Sequence, residues 1–292
     1  MQLLHARPPY NFMGIYDQDY AKAKVVVLPV PYDSTASWRG GAREGPHAVI
    51  TASRQVEFYD PELKRSPAEE IGIYTLDELE PSMASPEKTL DRVEQAAAQI
   101  LEDDKFMVIL GGEHNIPAGS VRPYAKKYKD LTVLQIDAHA DLRDEFEDSR
   151  FNHACGMRRC REMAKKVVQC GLRSISQEEM DFVKAKGLEK DLFFMPDFDA
   201  KKIVSRCTDH VYLSFDLDGM DPAYIPATGT PEPGGLNYNQ ILDLFRELTK
   251  KKNVVGADFV ELAPIPGFHA PDFTVARMIY KLLGYQFCGK GK

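Results

Sequence analysis

Three side chains that can bind metal ions, Asp137, His139 and Asp141, occupy alternate positions in one short segment. In an extended chain, side chains two residues apart point to the same face, so these three are expected to project together. The apolar run at 132–136 just before them predicts a buried strand. Two carboxylates and an imidazole at a strand end could bind a divalent cation, although a surface loop or a salt-bridge network would explain the same motif.

Three further apolar runs are also followed by polar residues. Asp216 and Asp218 follow the run at 211–215. His114 follows the run at 106–110, and Glu261 follows the run at 253–259. The glycine pair at 111–112 permits the sharp turn that would present His114. In open α/β sheets, ligands bind at the carboxyl ends of the strands, so four strands are expected to deliver these residues to one edge. The second Asp-x-Asp pair and the histidine favour a metal site over the two structural alternatives.

The candidate ligands number six: His114, Asp137, His139, Asp141, Asp216 and Asp218. Two divalent ions would balance the charge of the four carboxylates, whereas a single ion would leave them repelling one another with raised pKa values. Oxygen-rich ligation with some imidazole favours Mn²⁺ over zinc. Two such ions about 3.5–4 Å apart can share a water molecule and lower its pKa toward neutrality, which makes it a nucleophile.

Other polar residues have two interpretations each. His153 is either a hydrogen-bonded loop histidine or a proton shuttle, since an imidazole titrates near neutral pH. Glu261 either forms a salt bridge or accepts a bidentate contact from a planar cation such as guanidinium. Cys155 lies close in sequence to the candidate site, but no paired base is evident, so we interpret it as a packing residue.

Composition limits the class of protein. The chain has 292 residues, 43% of them hydrophobic, and a formal net charge of −7, which argues against a nucleic-acid-binding protein. Its longest apolar runs fall well short of the ~18 residues that a membrane helix needs, and residues 1–9 are too interrupted for a signal peptide. Five cysteines without a C-x-x-C pair suggest free thiols in a reducing compartment, so we expect a cytoplasmic protein.

Strands and helices alternate along the chain, which predicts an α/β fold with a parallel sheet covered on both faces. The first strand is expected at 24–28 after an irregular arm at 1–23, and helices are expected after Pro46 and at 86–101, 177–185 and 239–251. The glycine-rich loop at 38–46 is either a simple connection or a wall of the active-site mouth. No linker is evident, so residues 1–292 are expected to form one domain.

Three motifs, at 111–114, 137–141 and 214–222, together resemble those of the ureohydrolase family, which includes arginases and agmatinases. The resemblance spans about 25–283 and includes the loop at 43–46. It implies a single three-layer α/β/α domain with a mainly parallel eight-stranded sheet. It also implies two Mn²⁺ ions per subunit, release of urea from a guanidino compound, and assembly into a homotrimer or homohexamer.

The resemblance also implies a role for each site residue. His114, Asp137, Asp141 and Asp216 would bind one manganese ion, and Asp137, His139, Asp216 and Asp218 would bind the other. Glu261 would orient the guanidinium group of the substrate. Asp141 would pass a proton toward the leaving amine, and His153 would contact the substrate and shuttle protons.

Two features are more similar to bacterial and archaeal agmatinases than to arginases: Arg143 replaces an Asn that is usual in arginases, and a Glu-Pro pair occurs at 232–233. The expected reaction is therefore hydrolysis of agmatine to putrescine and urea in polyamine biosynthesis, with a small cationic guanidino substrate. Glu145 is a candidate for contacting the substrate tail. Asn152 departs from the serine that usually precedes the histidine at this place.

Several alternatives stay open at this stage. Arg143 could pair with a carboxylate, which would favour guanidinobutyrate or another guanidino acid, whereas arginine is disfavoured. A deacetylase-like amidohydrolase of related fold is disfavoured because that class uses one metal ion. A non-catalytic polyamine-binding scaffold is the alternative of another class, and no substitution among the six ligands supports it.

Overall fold

Eight strands form one sheet in the computed structural model, which describes residues 7–289. The strands are β1 (Val25–Val30), β2 (Ile73–Thr75), β3 (Phe106–Gly111), β4 (Thr132–Ile136), β5 (Lys166–Leu172), β6 (Leu192–Phe194), β7 (His210–Asp216) and β8 (Asn253–Val260). Their order across the sheet is β2-β1-β3-β8-β7-β4-β5-β6, and every neighbouring pair is parallel. The expected eight-stranded parallel sheet is therefore confirmed.

The central strands are apolar on both faces because helices cover both sides of the sheet. All residues of β1, β3 and β4 are buried, as is typical of strands in a doubly covered parallel sheet. The five strands expected from apolar runs agree with β1, β3, β4, β7 and β8 to within two residues at each end. The apolar runs did not predict the other three strands: β5, which has seven residues, and β2 and β6, which have three residues each and lie at the two sheet edges.

Nine α-helices occur within residues 7–289: α1 (Gly45–Ser53), α2 (Pro67–Ile71), α3 (Pro86–Glu102), α4 (Pro117–Lys127), α5 (Gly156–Met163), α6 (Gln177–Lys186), α7 (Ala200–Arg206), α8 (Tyr238–Lys251) and α9 (Ala270–Cys288). Side chains of α1, α2, α7, α8 and α9 belong to one hydrophobic core, and those of α3 to α6 belong mainly to a second core. The two cores lie on opposite faces of the sheet, which gives the expected three layers.

The expected helices form where the sequence contains helix-capping residues or a proline in the first turn. In α3, the Ser85 hydroxyl accepts a hydrogen bond from the Lys88 amide, Pro86 occupies the first turn, and Leu90 and Val93 lie on the buried face. Capping boxes begin α6 and α8, and both helices end within one residue of the expected position. The helix expected after Pro46 is α1.

The longest helix, α9, was not expected from the sequence. It has 19 residues and is buried on most of its circumference, so it lacks the clear apolar stripe of a surface helix. The part of the arm within 7–23 is irregular apart from a short 3₁₀ helix, Phe12–Gly14, and the rest of the arm lies outside the described residues. Over residues 7–289, no helix has both the length and the apolar character needed to cross a bilayer.

Candidate metal centre and pocket

The four strands that end in candidate site residues are neighbours at the centre of the sheet. They lie in the order β3, β8, β7 and β4, and their carboxyl ends meet at one edge. His114 follows β3, Glu261 follows β8, Asp216 ends β7, and Asp137 follows β4. Residues separated by up to 147 positions along the chain are thereby brought together, as expected for the binding edge of an open α/β sheet.

The first group of ligand atoms surrounds one nitrogen of His114. Its Nδ1 atom lies 2.9 Å from Asp137 Oδ2, 2.9 Å from Asp141 Oδ2 and 3.3 Å from Asp216 Oδ2. All four side chains are buried. The sequence-based expectation that these four residues lie together agrees with this geometry.

The second group of ligand atoms surrounds His139. Its Nδ1 atom lies 2.9 Å from Asp218 Oδ2 and 3.5 Å from Asp137 Oδ1. Asp137 therefore contributes one oxygen to each group and lies between them. Asp216 belongs to the His114 group, and its predicted role as a second bridge stays a prediction.

The reason given above for the convergence of these residues was partly wrong. Strand β4 ends at Ile136, so the ligands after it lie in a loop, where Asp141 adopts a left-handed backbone conformation with φ of 52°. Asp218 lies in a 3₁₀ helix, Leu217–Gly219, rather than in an extended segment. Alternation along an extended chain therefore does not account for the positions of Asp141 and Asp218, which depend on these turns.

Two glycines make these turns possible because other backbone segments pass very close to them. A Cβ atom on Gly112 would lie 1.7 Å from the carbonyl oxygen of Tyr32. A Cβ atom on Gly219 would lie 2.8 Å from the amide nitrogen of Asp137. Each glycine therefore allows a loop to approach the neighbouring strand end more closely than any side chain would permit.

A buried polar relay orients His114. Its Nε2 atom lies 2.9 Å from Ser214 Oγ, and that hydroxyl donates to Asp258 Oδ1 at 2.8 Å. Since the hydroxyl proton points to Asp258, Ser214 Oγ accepts from Nε2–H, and the lone pair of the neutral imidazole lies on Nδ1. Nδ1 is the atom that faces the three carboxylates, as a metal ligand requires.

A second relay orients Asp137 from within the sheet. Gln135, a buried residue of β4, donates from Nε2 to Asp137 Oδ2 at 2.5 Å. Gln169 of β5 donates in turn to Gln135 Oε1, and also to the Ala140 carbonyl oxygen at 2.6 Å. These contacts fix the carboxylate that the two groups share and the loop that carries Asp141.

The site contains more buried negative charge than its own residues balance. Burial raises the pKa of Asp141 to about 7, and burial together with Asp218 raises the pKa of Asp216 well above its usual value. Burial alone would lower the pKa of His139, but Asp218 and Asp137 outweigh it and raise that pKa to about 12. Asp141 and Asp216 thus favour bound protons, whereas hydrogen bonds from His114 and His139 outweigh burial and lower the pKa of Asp137. A cation near Asp141 and Asp216 would restore their charged forms.

The donor set fits metal ions. The three ligand atoms from His114, Asp137 and Asp216 lie within 4.8 Å of one another, as do those from Asp137, His139 and Asp218. His114 Nδ1 is buried and makes no hydrogen bond of acceptable geometry, although three carboxylate oxygens lie close to it. A buried nitrogen lone pair among carboxylate oxygens is an arrangement that a divalent cation satisfies.

Glu261 lies at the end of β8 beside the first group. Its Oε1 atom accepts from the His114 amide at 2.8 Å, and its backbone is left-handed, with φ of 66°. Non-glycine residues rarely adopt this conformation, and such strain is concentrated at functional sites. Burial, followed by repulsion from Glu113, raises the pKa of Glu261 well above its usual value.

His153 lies across the pocket from these strands, in a 3₁₀ helix, His153–Cys155, that precedes α5. Asn152, which replaces the usual serine, begins this helix because its side chain accepts a hydrogen bond from the Ala154 amide. Cys155 is buried, and burial raises the pKa of its thiol to about 12, so the interpretation as a packing residue agrees with its surroundings.

A pocket of about 350 Å³ opens above the two groups. Its floor includes five of the six candidate ligands and Glu261, and its rim includes His153, Trp38, Arg39, Arg143 and Phe146. The structure thus agrees with the second interpretation of the glycine-rich loop, because Trp38 and Arg39 form part of the mouth. Trp38 is 72% exposed at this rim.

The acidic residue of the pocket wall is Glu179, whereas Glu145 is exposed and does not line the pocket. Both carboxylate oxygens of Glu179 accept hydrogen bonds, one from the Leu142 amide at 2.9 Å and the other from the amide and hydroxyl of Ser176. The Ser-x-x-Glu pattern at 176–179 marks a capping box and could have identified this residue. Ser214, Asp258 and Gln135 have no comparable local signal.

Comparisons with known proteins agree with this geometry. The sequence profile of the arginase family matches residues 23–284. The N(1)-aminopropylagmatine ureohydrolase of Synechocystis sp. is 42% identical over 275 residues, which cover 91% of this chain and 90% of that protein. The agmatinase of Bacillus cereus is 33% identical over 250 residues, which cover 84% and 86% of the two chains.

Solved structures show the same fold. The agmatine ureohydrolase of Thermoplasma volcanium superposes on this chain with a TM-score of 0.86 at 30% sequence identity. The match covers 96% of this chain and 95% of that one, so the similarity extends over the whole sheet and both helical layers.

Proposed function

The chain belongs to the arginase family, and from that premise we propose that it is a binuclear manganese hydrolase that releases urea from a guanidino amine. Its relatives include an N(1)-aminopropylagmatine ureohydrolase and an agmatinase, and the chain is a ureohydrolase similar to agmatinases. The proposed substrate is agmatine or its N(1)-aminopropyl derivative, which are the compounds that the names of these relatives contain.

One observation supports the two-metal proposal most strongly, namely that Asp137 belongs to both groups of ligand atoms. It has one oxygen near His114 Nδ1 and the other near His139 Nδ1. A site for one ion would need no such shared carboxylate. Two divalent ions bound there would lower the pKa of a water molecule so that it can attack carbon at neutral pH.

The reaction breaks the bond between the guanidino carbon and the alkyl nitrogen. The water oxygen becomes the oxygen of urea, and both water protons end on the alkyl nitrogen. Glu261 is placed to accept hydrogen bonds from the guanidinium group, since its carboxylate lines the pocket floor. Asp141 belongs to the first group and is proposed to carry a proton from the water to the leaving nitrogen.

His153 is proposed to exchange protons with the leaving amine and the solvent at the pocket mouth. Burial lowers the pKa of His153, so the imidazole is neutral at pH 7 and able to accept a proton. The finer parts of the proposal are Mn²⁺ as the metal, a homotrimer or homohexamer as the assembly, and the cytoplasm as the location.

Arg143 is the observation that favours a second candidate substrate, a guanidino acid, because its guanidinium group lines the pocket and could bind a carboxylate. However, this group lies over the Phe146 ring at 4.8 Å and 3.7 Å from Glu178, so it already has neighbours within the chain. A guanidino amine is therefore the first choice.

A substrate panel tests the proposal. We expect the manganese-loaded enzyme to release urea from agmatine or N(1)-aminopropylagmatine with a kcat/KM at least about tenfold above that for 4-guanidinobutyrate or arginine, a difference of about 1.4 kcal/mol. Activity on 4-guanidinobutyrate alone would reject the amine but keep the chemistry. Urea release from none of the four compounds would reject the proposed function.

Metal analysis separates an enzyme from a non-catalytic scaffold. We expect about two Mn²⁺ ions per chain and activity that is lost with a chelator and restored with Mn²⁺. A Glu261→Gln variant should keep both ions but lose turnover, because Glu261 is proposed to bind the substrate. Polyamine binding without metal and without urea release would support the scaffold instead.

A further inference from the structure

The loop after β1 contains a residue, Thr35, that forms two hydrogen bonds with His153. We propose that Thr35 is a positioning residue that fixes the imidazole of His153 in one tautomer and one orientation. This inference deepens the proposed function and rests on it, because it assumes that His153 transfers protons. Neither the sequence motifs nor the names of the relatives assign a role to Thr35.

Two hydrogen bonds connect Thr35 to His153. The His153 amide donates to Thr35 Oγ1 at 3.0 Å, and His153 Nδ1 lies 2.7 Å from the Thr35 carbonyl oxygen. A carbonyl oxygen can only accept, so Nδ1 must carry the proton. In the neutral ring the lone pair is then on Nε2. Thr35 thus holds His153 at two points, its backbone amide and its imidazole ring.

The free nitrogen of His153 faces the pocket. Its Nε2 atom lies 3.5 Å from Ser37 Oγ at the pocket rim, and the edge of the ring contacts Phe146 with the two centroids 6.4 Å apart. A proton can therefore enter or leave at Nε2 while Nδ1 stays bonded to Thr35. When Nε2 is protonated, the Thr35 carbonyl oxygen still accepts from Nδ1–H and stabilises the imidazolium.

Thr35 is itself held by a buried carboxylate. Its amide donates to Glu113 Oε2 at 2.7 Å, and its hydroxyl donates to Glu113 Oε1 at 2.9 Å. Asn115 donates to the same Oε1 at 2.7 Å and to the Phe151 carbonyl oxygen at 2.9 Å. Since Glu113 is the residue before His114, this network connects the end of β3 to the opposite wall of the pocket.

The charged groups around His153 do not provide an alternative support. Burial lowers the pKa of His153, the hydrogen bond to Thr35 opposes this, and His114 and His139 lower it further. Glu147 raises this pKa, but no hydrogen bond joins it to the ring among the described contacts. His153 thus lacks the carboxylate partner that often orients a catalytic imidazole, and Thr35 supplies that contact through its backbone and hydroxyl.

The test compares Thr35→Val with Thr35→Ser in the manganese-loaded enzyme. Valine keeps the size but removes the oxygen that accepts from the His153 amide, whereas serine keeps it. We expect kcat for urea release to fall by about 10–100-fold in Thr35→Val, at or below the lower end of the ~10²–10⁴-fold contribution of a general acid–base group, with KM and metal content nearly unchanged. Thr35→Ser should restore most of kcat. Ser34→Ala removes the neighbouring exposed hydroxyl and should behave as wild type.

Two further measurements separate positioning from a general loss of structure. Combining Thr35→Val with His153→Asn should cost no more than His153→Asn alone, because both changes remove the same function. Modification of His153 by diethyl pyrocarbonate, followed by mass spectrometry, should be faster in Thr35→Val than in wild type, Thr35→Ser or Ser34→Ala. Thr35→Ala is the substitute if Thr35→Val does not fold.

The possible failures are distinct. If wild type releases urea but Thr35→Val matches Ser34→Ala in kcat and in the labelling of His153, the positioning role is wrong while the proposed function stands. Additive losses in the double variant would also reject it. If wild type releases no urea from any guanidino compound, both the function and the positioning role are rejected.

Discussion

Two clusters of carboxylates within residues 7–289 differ in the cations beside them, because only one of the two contains lysine and arginine. At the binding edge of the sheet, four aspartates surround two histidines. Outside the pocket, Asp60 and Glu62 contact Lys281 of α9, whose Nζ atom lies 2.9 Å from Asp60 Oδ2 and 2.8 Å from Glu62 Oε2. Arg246 of α8 adds a contact of 2.7 Å to Glu62.

One carboxyl group from each cluster illustrates the contrast, because the pKa values of Glu62 and Asp141 are shifted in opposite directions. Hydrogen bonds from Arg246 and Lys281 lower the pKa of Glu62 to about 2. At the binding edge, burial raises the pKa of Asp141 to about 7. Lys and Arg balance the negative charge of the Glu62 cluster within the chain. The cluster that lacks Lys and Arg needs bound cations to balance its negative charge. The contrast distinguishes an ion-pair network that stabilises the fold from a site that binds metal.

The largest effect is expected from Asp137→Asn, which removes the charge shared by the two ligand groups. Loss of several kcal/mol of metal-dependent stabilisation of the transition state corresponds to a decrease in kcat/KM on the order of 10³-fold or more. Elemental analysis should find fewer than two Mn²⁺ ions per chain. As a comparison, Asp60→Asn should keep both ions. Two retained ions in Asp137→Asn would contradict the shared-ligand assignment.

The second prediction tests the ion-pair cluster of Asp60, Glu62 and Lys281. Lys281→Met leaves Asp60 and Glu62 without their buried partner and should destabilise the fold by about 3–5 kcal/mol, measured by urea denaturation. The metal content of the folded protein should not change. Lys251→Met, at an exposed position near the end of α8, should alter stability by no more than about 0.5 kcal/mol. Equal effects of the two lysine variants would mean that the network contributes little.

A smaller effect is expected from Ser214→Ala, which removes the acceptor of the His114 Nε2–H bond without removing a ligand. Loss of such an outer contact typically lowers metal affinity about 10–100-fold. Titration with Mn²⁺ should show weaker binding, and excess metal should recover activity. Ser205→Ala, an exposed serine in α7, serves as the matched control. Unchanged Mn²⁺ affinity in Ser214→Ala would show that the relay to Asp258 does not fix the tautomer.

The smallest effect concerns pH and the partly exposed Glu62. Its folded-state pKa is lowered from 4.5 to about 2, so its ion pairs stabilise the protein above pH 4.5 and this stabilisation is lost as pH falls toward 2. The difference in unfolding free energy between wild type and Glu62→Gln should therefore be constant near neutral pH and shrink below pH 4.5. A difference that persists at pH 2 would point to packing rather than charge.

The metal-binding edge could be predicted from the sequence because its signals are local. Each candidate ligand lies within five residues after an apolar run, and the rule that ligands bind at strand ends then brings the runs together. The predicted residues lie close together in the structure even though the backbone around Asp141 and Asp218 is not extended. Turn geometry depends on close approaches such as that between Gly112 and Tyr32, which no local pattern reveals.

The ion-pair cluster could not be predicted because its partners are distant in sequence. Lys281 and Asp60 are separated by 221 positions, and Lys281 lies in α9, a helix without a clear apolar stripe. The same limitation applies to Ser214 and Asp258, which are ordinary strand residues until the register of β7 and β8 places them side by side. Glu145 was chosen for the substrate tail because it is near Asp141 in sequence, whereas Glu179 reaches the pocket from α6.

The left-handed conformations of Asp141 and Glu261 have a consequence for engineering. Glycine adopts φ values near 52° and 66° without the steric cost, roughly 1–2 kcal/mol, that other residues incur. A search for thermostable variants that favours glycine at such positions would therefore select Asp141→Gly and Glu261→Gly, and would exchange turnover for heat resistance. Screens of this chain should score both properties at once.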